Sequence, residues 1–191
     1  MGAAALFGDS LGPKRQNLAV EMRVRSEGDL DACEHLAHVV HAGDGYPPRC
    51  ADDLRVFVSA ADALRAWVAE SERGIVGHVA LLQRSSPAVM AIGSAATGRP
   101  PEQLCVVARL FVSPTERKAG IGSSLLALAA EAGLARGLRP ILDVATHLDD
   151  AIRLYERAGW ICAGQVTVDF HNEPPLEELV YVLPDLGRVR H

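Results

Sequence analysis

The chain has 191 residues, 49% of them hydrophobic and 23% charged, with a formal net charge of −5 at pH 7. That length suits one domain burying roughly 70% of its unfolded surface. The acidic balance excludes broad nucleic-acid binding, which needs basic patches against phosphates, and no apolar run approaches the ~18 residues of a membrane span.

Residues 1–17 mix Gly, Pro, Ser and charge and read as a flexible lead-in. Met1–Phe7 lacks the basic start and long apolar core of a secretory signal, and Leu6 stands where a myristoylation pattern after Gly2 needs Ser or Thr. Ala19–Arg25 alternates as a half-buried first strand. Asp29 is then an N-cap for a helix whose stripe is Leu30, Cys33, Leu36, Ala37 and Val40, ending near Gly43. A turn-rich loop to Arg49 precedes a second helical piece from about Asp52 to Ala60. Ala66–Glu70 and Ile75–Leu82 flank the polar Ser71–Gly74 as a hairpin. Residues 84–103 hold Ser85-Ser86-Pro87, Gly93, Gly98 and Arg99-Pro100-Pro101, breakers in a row that predict a long loop.

The central stretch runs strand, turn, glycine loop, helix. Val106–Val112 is an apolar strand, Ser113-Pro114 a turn, and Ile121, Leu125, Leu128, Ala132 and Ala135 recur as the stripe of a helix lying on a sheet. Gly120 and Gly122 therefore sit at a helix start, where first-turn amides lack partners and the dipole adds about half a positive charge. Arg117 and Lys118 add two cations, so a diphosphate is the natural guest. The dinucleotide fingerprint is excluded because its third glycine position is Leu125. The triphosphate loop is excluded because no Lys follows Gly122. Pro140–Ala145 gives a fifth strand, and Asp149-Asp150 open a helix that Gly159 closes. Trp160–Phe170 and Glu177–Leu183 are the last two strands, joined by a turn at Pro174-Pro175. Cys33, Cys50, Cys105 and Cys162 show neither metal-ligand nor redox spacing, which predicts reduced thiols and a cytoplasmic setting. His35, His38 and His41 recur every three residues rather than the four of a helical metal pair, so no metal is expected.

Val112-Ser113-Pro114 followed by Arg117-Lys118-Ala119-Gly120-Ile121-Gly122 matches the pattern Arg/Gln-x-x-Gly-x-Gly/Ala after a Val-x-Pro strand end. Leu154-Tyr155-Glu156-Arg157-Ala158-Gly159-Trp160 matches Leu-Tyr-x-x-x-Gly-Phe/Trp, in the right order. Over residues 18–184, with 185–191 as a tail, the chain resembles the GNAT superfamily of acyl-CoA-dependent N-acyltransferases. The resemblance implies an α/β fold: a seven-stranded mixed sheet, splayed between the fourth and fifth strands and flanked by about four helices.

It implies acetyl-CoA as cosubstrate, its pyrophosphate held by Arg117, Lys118, Ala119, Gly120, Ile121, Gly122 and Ser123, and its pantetheine arm paired with the backbone of Leu110, Phe111 and Val112. The expected activity is acetyl transfer to a primary amine of a small molecule or peptide, by direct attack in a ternary complex. Tyr155 is the side chain expected to serve the departing thiolate. A phenol near pKa 10 and a thiol near 8.5 make full proton transfer uphill by roughly 2 kcal/mol, so a strong hydrogen bond is the expected role. The glutamate many members carry on the fourth strand is replaced by Val106 or Val107, leaving His78, Glu102 or a water relay as base. Leu148 replaces a pantetheine-binding asparagine, with Asp149 as substitute. A homodimer fits the family, and a non-catalytic acyl-CoA-binding module on the same fold is the alternative.

Overall fold

The polar turn at Glu72-Arg73 closes the hairpin from which the sheet grows, with β-branched and small apolar residues filling both strands. The structure, a computed structural model, describes residues 19–47, 54–169 and 175–185. In chain order these form β1 (Glu21–Val24), α1 (Leu30–Asp44), α2 (Leu54–Ser59), β2 (Ala63–Ser71), β3 (Gly74–Leu82), α3 (Pro87–Thr97), β4 (Leu104–Val112), α4 (Ile121–Leu134), β5 (Arg139–Ala145), α5 (Asp149–Arg157), β6 (Ile161–Val168) and β7 (Leu176–Val182). The expectations at Cys50, Asp52, Phe170 and Pro174 lie outside the described residues.

The seven strands make one sheet in the order β1-β2-β3-β4-β5-β7-β6. Every neighbouring pair is antiparallel except β4–β5, which is parallel because α4 carries the chain back across the sheet. Strand alternation divides the core into two layers. Trp67, Ala69, Val107, Leu142 and Val144 join α4 and Tyr155 of α5 on one face. Ala66 and Val68 point the other way, where α1 and α2 bury Leu36, Val40, Leu54 and Val58, and α3 buries Val89 and Met90.

Three local expectations are corrected. Residues 87–97, expected within a long loop, form α3: Ser86 Oγ accepts from the Val89 amide at 3.3 Å, Pro87 opens the first turn, and Gly98 closes the helix at φ 65°. The breakers are its caps. Asp29 does not cap α1 forward; its carboxylate accepts from the Ser26 amide at 2.7 Å and forms a bidentate pair with Arg23, which holds it far below the usual carboxylate range. On α4 the buried face runs Ile121, Leu125, Leu126, Ala129, Ala130 and Gly133, while Leu128 is half-buried and Ala135 exposed.

Gly133 marks the closest approach of α4 to the sheet, since an added Cβ would lie 2.5 Å from the buried Cys105 Sγ on β4. Overpacking of this kind costs about 1–3 kcal/mol, against about 1 kcal/mol of gained helix propensity. Gly133→Ala is expected to destabilise the protein by up to about 2 kcal/mol in urea unfolding, with no change in m-value.

Candidate active site

The parallel pairing of β4 with β5 runs only from Leu104↔Arg139 to Val106↔Ile141. Beyond that rung both strands continue, β4 to Val112 and β5 to Ala145, without pairing to one another. A bulge turns β4 at this point: Ala108 pairs with Ala80 and Phe111 with His78, so β4 carries one residue more than β3 between the two rungs. Arg109 takes the left-handed conformation in the bulge, at φ 56°. Its guanidinium lies 5.3 Å from the Phe57 ring and 3.9 Å from Asp62.

His78 holds the bulge from below. Its Nδ1 lies 2.9 Å from the Arg109 carbonyl oxygen, which only accepts, so Nδ1 carries the proton; Nε2, 3.3 Å from Arg25 Nη1, is the acceptor. Arg25 also donates to the carbonyls of Val58 and Ser59, tying β1 to the end of α2. The imidazole is fully buried and stacked on Phe111 at 5.0 Å. Burial pushes its pKa down to about 4, with the charges of Arg25 and Arg109 acting the same way against the bond to the Arg109 carbonyl. Both ring nitrogens are thus engaged in holding the strand.

At the upper end of the gap, Pro114–Glu116 forms a short 3-10 turn and the chain reaches α4 through Arg117–Gly120. Gly120, at φ 82°, is the N-cap residue, a conformation that glycine takes without strain. The first backbone bond of α4 is from the Ser124 amide to the Gly120 carbonyl, 3.0 Å. Among the described residues the amides of Ile121, Gly122 and Ser123 have no protein acceptor. Gly122 is wedged between Val112 and Leu154, where an added Cβ would lie 3.7 and 3.4 Å from their methyl carbons. Lys118 is exposed, whereas Arg117 pairs with both oxygens of Asp44 at the end of α1. An apolar groove of about 190 Å³ runs from Ser123 between α4 and the corner after α5, walled by Leu126, Glu131, Ala158 and Trp160. The donors and the open gap suit an anionic group carrying a slender arm.

Tyr155 projects from α5 into the layer containing Leu142 and Val144, 8% exposed, with its ring 6.1 Å from that of Tyr181. Tyr181 Oη donates to Glu156 at 3.2 Å, while among the described residues Tyr155 Oη has no hydrogen-bond partner. Burial, with the Asp143 carboxylate adding to it, pushes the Tyr155 phenol well above its ordinary pKa, so it stays protonated. Glu102 is exposed in the turn before β4, roughly 20 Å of strand away from the bulge, and the structure does not bring it to the gap. Asp149 opens α5 and is exposed; the charges of Arg117 and Lys118 reach its neighbour Asp150.

Asp143 was not singled out by its sequence. Continuing the β4–β5 register would set it opposite Ala108, so it stands at the edge of the open gap. It is half-buried on the face opposite Leu142 and Val144, and Ser85 Oγ donates to its Oδ1 at 3.2 Å. Burial raises its pKa. The one available signal was a lone carboxylate within the apolar run Pro140–Ala145.

A neutral His78 makes stability depend on pH. The unfolded imidazole titrates near 6.5 and the folded one near 4, so between these values the unfolded state binds more protons and stability falls as pH drops. This group contributes on the order of 3 kcal/mol above pH 6.5, lost on reaching pH 4. Urea unfolding between pH 7 and 4 is expected to show that slope, and His78→Gln to remove about one proton's worth of it.

A model of the acetyltransferase (GNAT) family matches residues 32–160. No curated protein matches the chain in sequence. Among solved structures the fold is similar to Arabidopsis thaliana NAA60 in complex with acetyl-CoA, at 20% identity and TM-score 0.66, covering 86% of this chain and 97% of that one. It is similar to an N-acetyltransferase from Staphylococcus aureus Mu50 at 19% identity and TM-score 0.62, covering 86% and 98%. It is also similar to Salmonella typhimurium yncA with its cofactor acetyl-CoA, at 17% identity and TM-score 0.63, covering 88% and 96%. With most of its length matched by the family model, the chain belongs to the GNAT acetyltransferase family.

Proposed function

We propose that this protein moves the acetyl group of acetyl-CoA to a primary amine of a small molecule or peptide, by direct attack in a ternary complex. One observation carries the reading: unbonded amides at the start of α4 lie beside Val112, at the end of the strand whose pairing with β5 has lapsed. The acetyl-CoA complexes of NAA60 and yncA, on the same fold, support the choice of acyl donor.

On this reading Ile121, Gly122 and Ser123 donate amides to the diphosphate, and Lys118 and Arg117 neutralise it. The groove beyond Ser123 takes the far end of the coenzyme. The pantetheine arm fills the gap as an added strand on the backbone of Leu110–Val112. A β4 amide facing the thioester oxygen stabilises the charge that develops there, an effect worth about 2.7–4 kcal/mol for such donors. Tyr155 offers its O–H to the departing sulfur. With its pKa raised it is a hydrogen-bond donor rather than a full acid. The thiols of Cys33, Cys105 and Cys162, all unpaired by disulfides, fit a cytoplasmic setting.

Acetyl-CoA at 100 times its Kd adds about 2.7 kcal/mol of stability, which for a chain of this size is a Tm rise of about 5–10 °C. Scanning fluorimetry is expected to show that rise, smaller at equal ligand in Arg117→Ala and Lys118→Ala. No shift at saturating acetyl-CoA overturns the reading. Thiol release in the presence of an amine panel is expected to fall about 10–100-fold in Tyr155→Phe with acetyl-CoA binding unchanged. Binding without turnover on any amine favours a non-catalytic acyl-CoA-binding module instead.

A further inference from the structure

An ammonium acceptor at neutral pH must shed a proton before its nitrogen can attack, at a cost of about 4–5 kcal/mol for a lysine-like amine. The base must therefore stand at the gap on the side from which the amine arrives. His78 has both nitrogens engaged beneath the bulge, and Glu102 lies at the far end of β4. Asp143 stands at the gap itself. It occupies the β5 position where continued pairing would have placed Ala108, and its side chain lies on the α1–α3 face, opposite the face that holds Tyr155. Ser85 reaches it only because α3 begins there: Ser86 caps that helix and leaves the preceding hydroxyl to donate to Asp143 Oδ1 at 3.2 Å.

We infer that the Asp143 carboxylate is the general base that takes the proton from the acceptor ammonium, with Ser85 as its positioning residue. This rests on the amine-acetylation reading above. The ammonium gives one proton to Asp143, and the freed lone pair forms the nitrogen–carbon bond while the carbonyl π pair moves to oxygen. Collapse breaks the carbon–sulfur bond with its pair on sulfur. The second nitrogen proton leaves with the thiol, and Asp143 returns the first to solvent. Base and leaving-group donor thus work from opposite faces of one gap.

Among the described residues the titratable groups placed near Asp143 are few. Tyr155 comes from α5 and feels its charge, Arg109 follows Ala108 on β4 across the gap, and Glu178 lies on β7 opposite Ala145. β7 places Val180 directly opposite, and α3 contributes no titratable side chain. Burial of the carboxylate raises its proton affinity, and the Ser85 bond partly offsets this.

The test compares kcat/KM against pH for the full-length protein with an amine that turns over. The wild type is expected to be flat between the pKa of Asp143 and that of the amine. Asp143→Asn is expected to lose about 10²–10⁴-fold at pH 7 and to climb tenfold per pH unit, so that the defect shrinks as solvent deprotonates the amine. Its acetyl-CoA-induced Tm shift stays as in wild type, and Asp143→Glu recovers part of the rate. Ser85→Ala, which removes a bond that favours the ionised carboxylate, moves the acidic limb to higher pH. Turnover by Asp143→Asn at the wild-type rate, or a defect of constant size at every pH, overturns the assignment while leaving amine acetylation standing. Should Asp143→Asn fail to fold, an unmoved acidic limb in Ser85→Ala overturns it. A wild type that binds acetyl-CoA yet acetylates no amine overturns both.

Discussion

The lapse of pairing between β4 and β5 after Val106 and Ile141 is the constraint on which the site depends. Two parallel strands left to themselves would continue their ladder, since each unmade backbone bond in a buried place costs about 1–3 kcal/mol. The bulge prevents it by turning β4 at Arg109, and the buried His78 fixes the turn by donating to the Arg109 carbonyl. The Arg25 cation completes the arrangement from the edge of the sheet, so that β1, β3, β4 and α2 all meet at one imidazole. The strand edges that result have hydrogen-bonding groups to offer and no neighbour to take them. On the proposed reading a ligand with a peptide-like arm would satisfy those groups, which would make the opening a binding feature rather than a packing fault.

Charge at the start of α4 is divided unevenly. Lys118 is exposed, but Arg117 is already paired with Asp44, and on the proposed reading an arriving diphosphate would compete with that carboxylate. The pair joins the end of α1 to the loop before α4, elements otherwise on opposite faces of the sheet. Half-exposed pairs of this kind are worth about 1 kcal/mol or less in water, so little would be lost if one were exchanged for a diphosphate.

The sequence makes some of this visible and hides the rest for physical reasons. Strand order is beyond it, but the elements are mostly plain, and Gly120 stands at the start of the central helix because the N-cap there takes positive φ. The α3 segment reads as a loop in the sequence because Ser86-Pro87 and Gly98, which punctuate a loop, are also what starts and stops a helix. The buried face of α4 is poorly marked in the sequence, since Leu and Ala on nearly every position leave its periodicity weak. The bulge at Arg109 carries no glycine to announce it. His78 looks like any polar residue in a strand until the Arg109 carbonyl is placed against it, and Asp143 gains meaning only where the ladder stops.

Two raised pKa values at one gap have a common cause and opposite uses. Desolvation disfavours the charged form of both Tyr155 and Asp143, and each charge would aggravate the other, so the two are not charged together, and a neutral phenol beside an ionised carboxylate is the combination that the proposed chemistry uses. That combination is a donor on the α5 face and an acceptor on the α3 face. Transfer of an acyl group from sulfur to nitrogen needs a donor where negative charge collects on the leaving atom and an acceptor where positive charge collects on the attacking one. The strands keep the two groups on opposite faces, so neither quenches the other by a direct hydrogen bond. A sheet that closed at this point would bring its own backbone into the space between them and leave neither a substrate to act on.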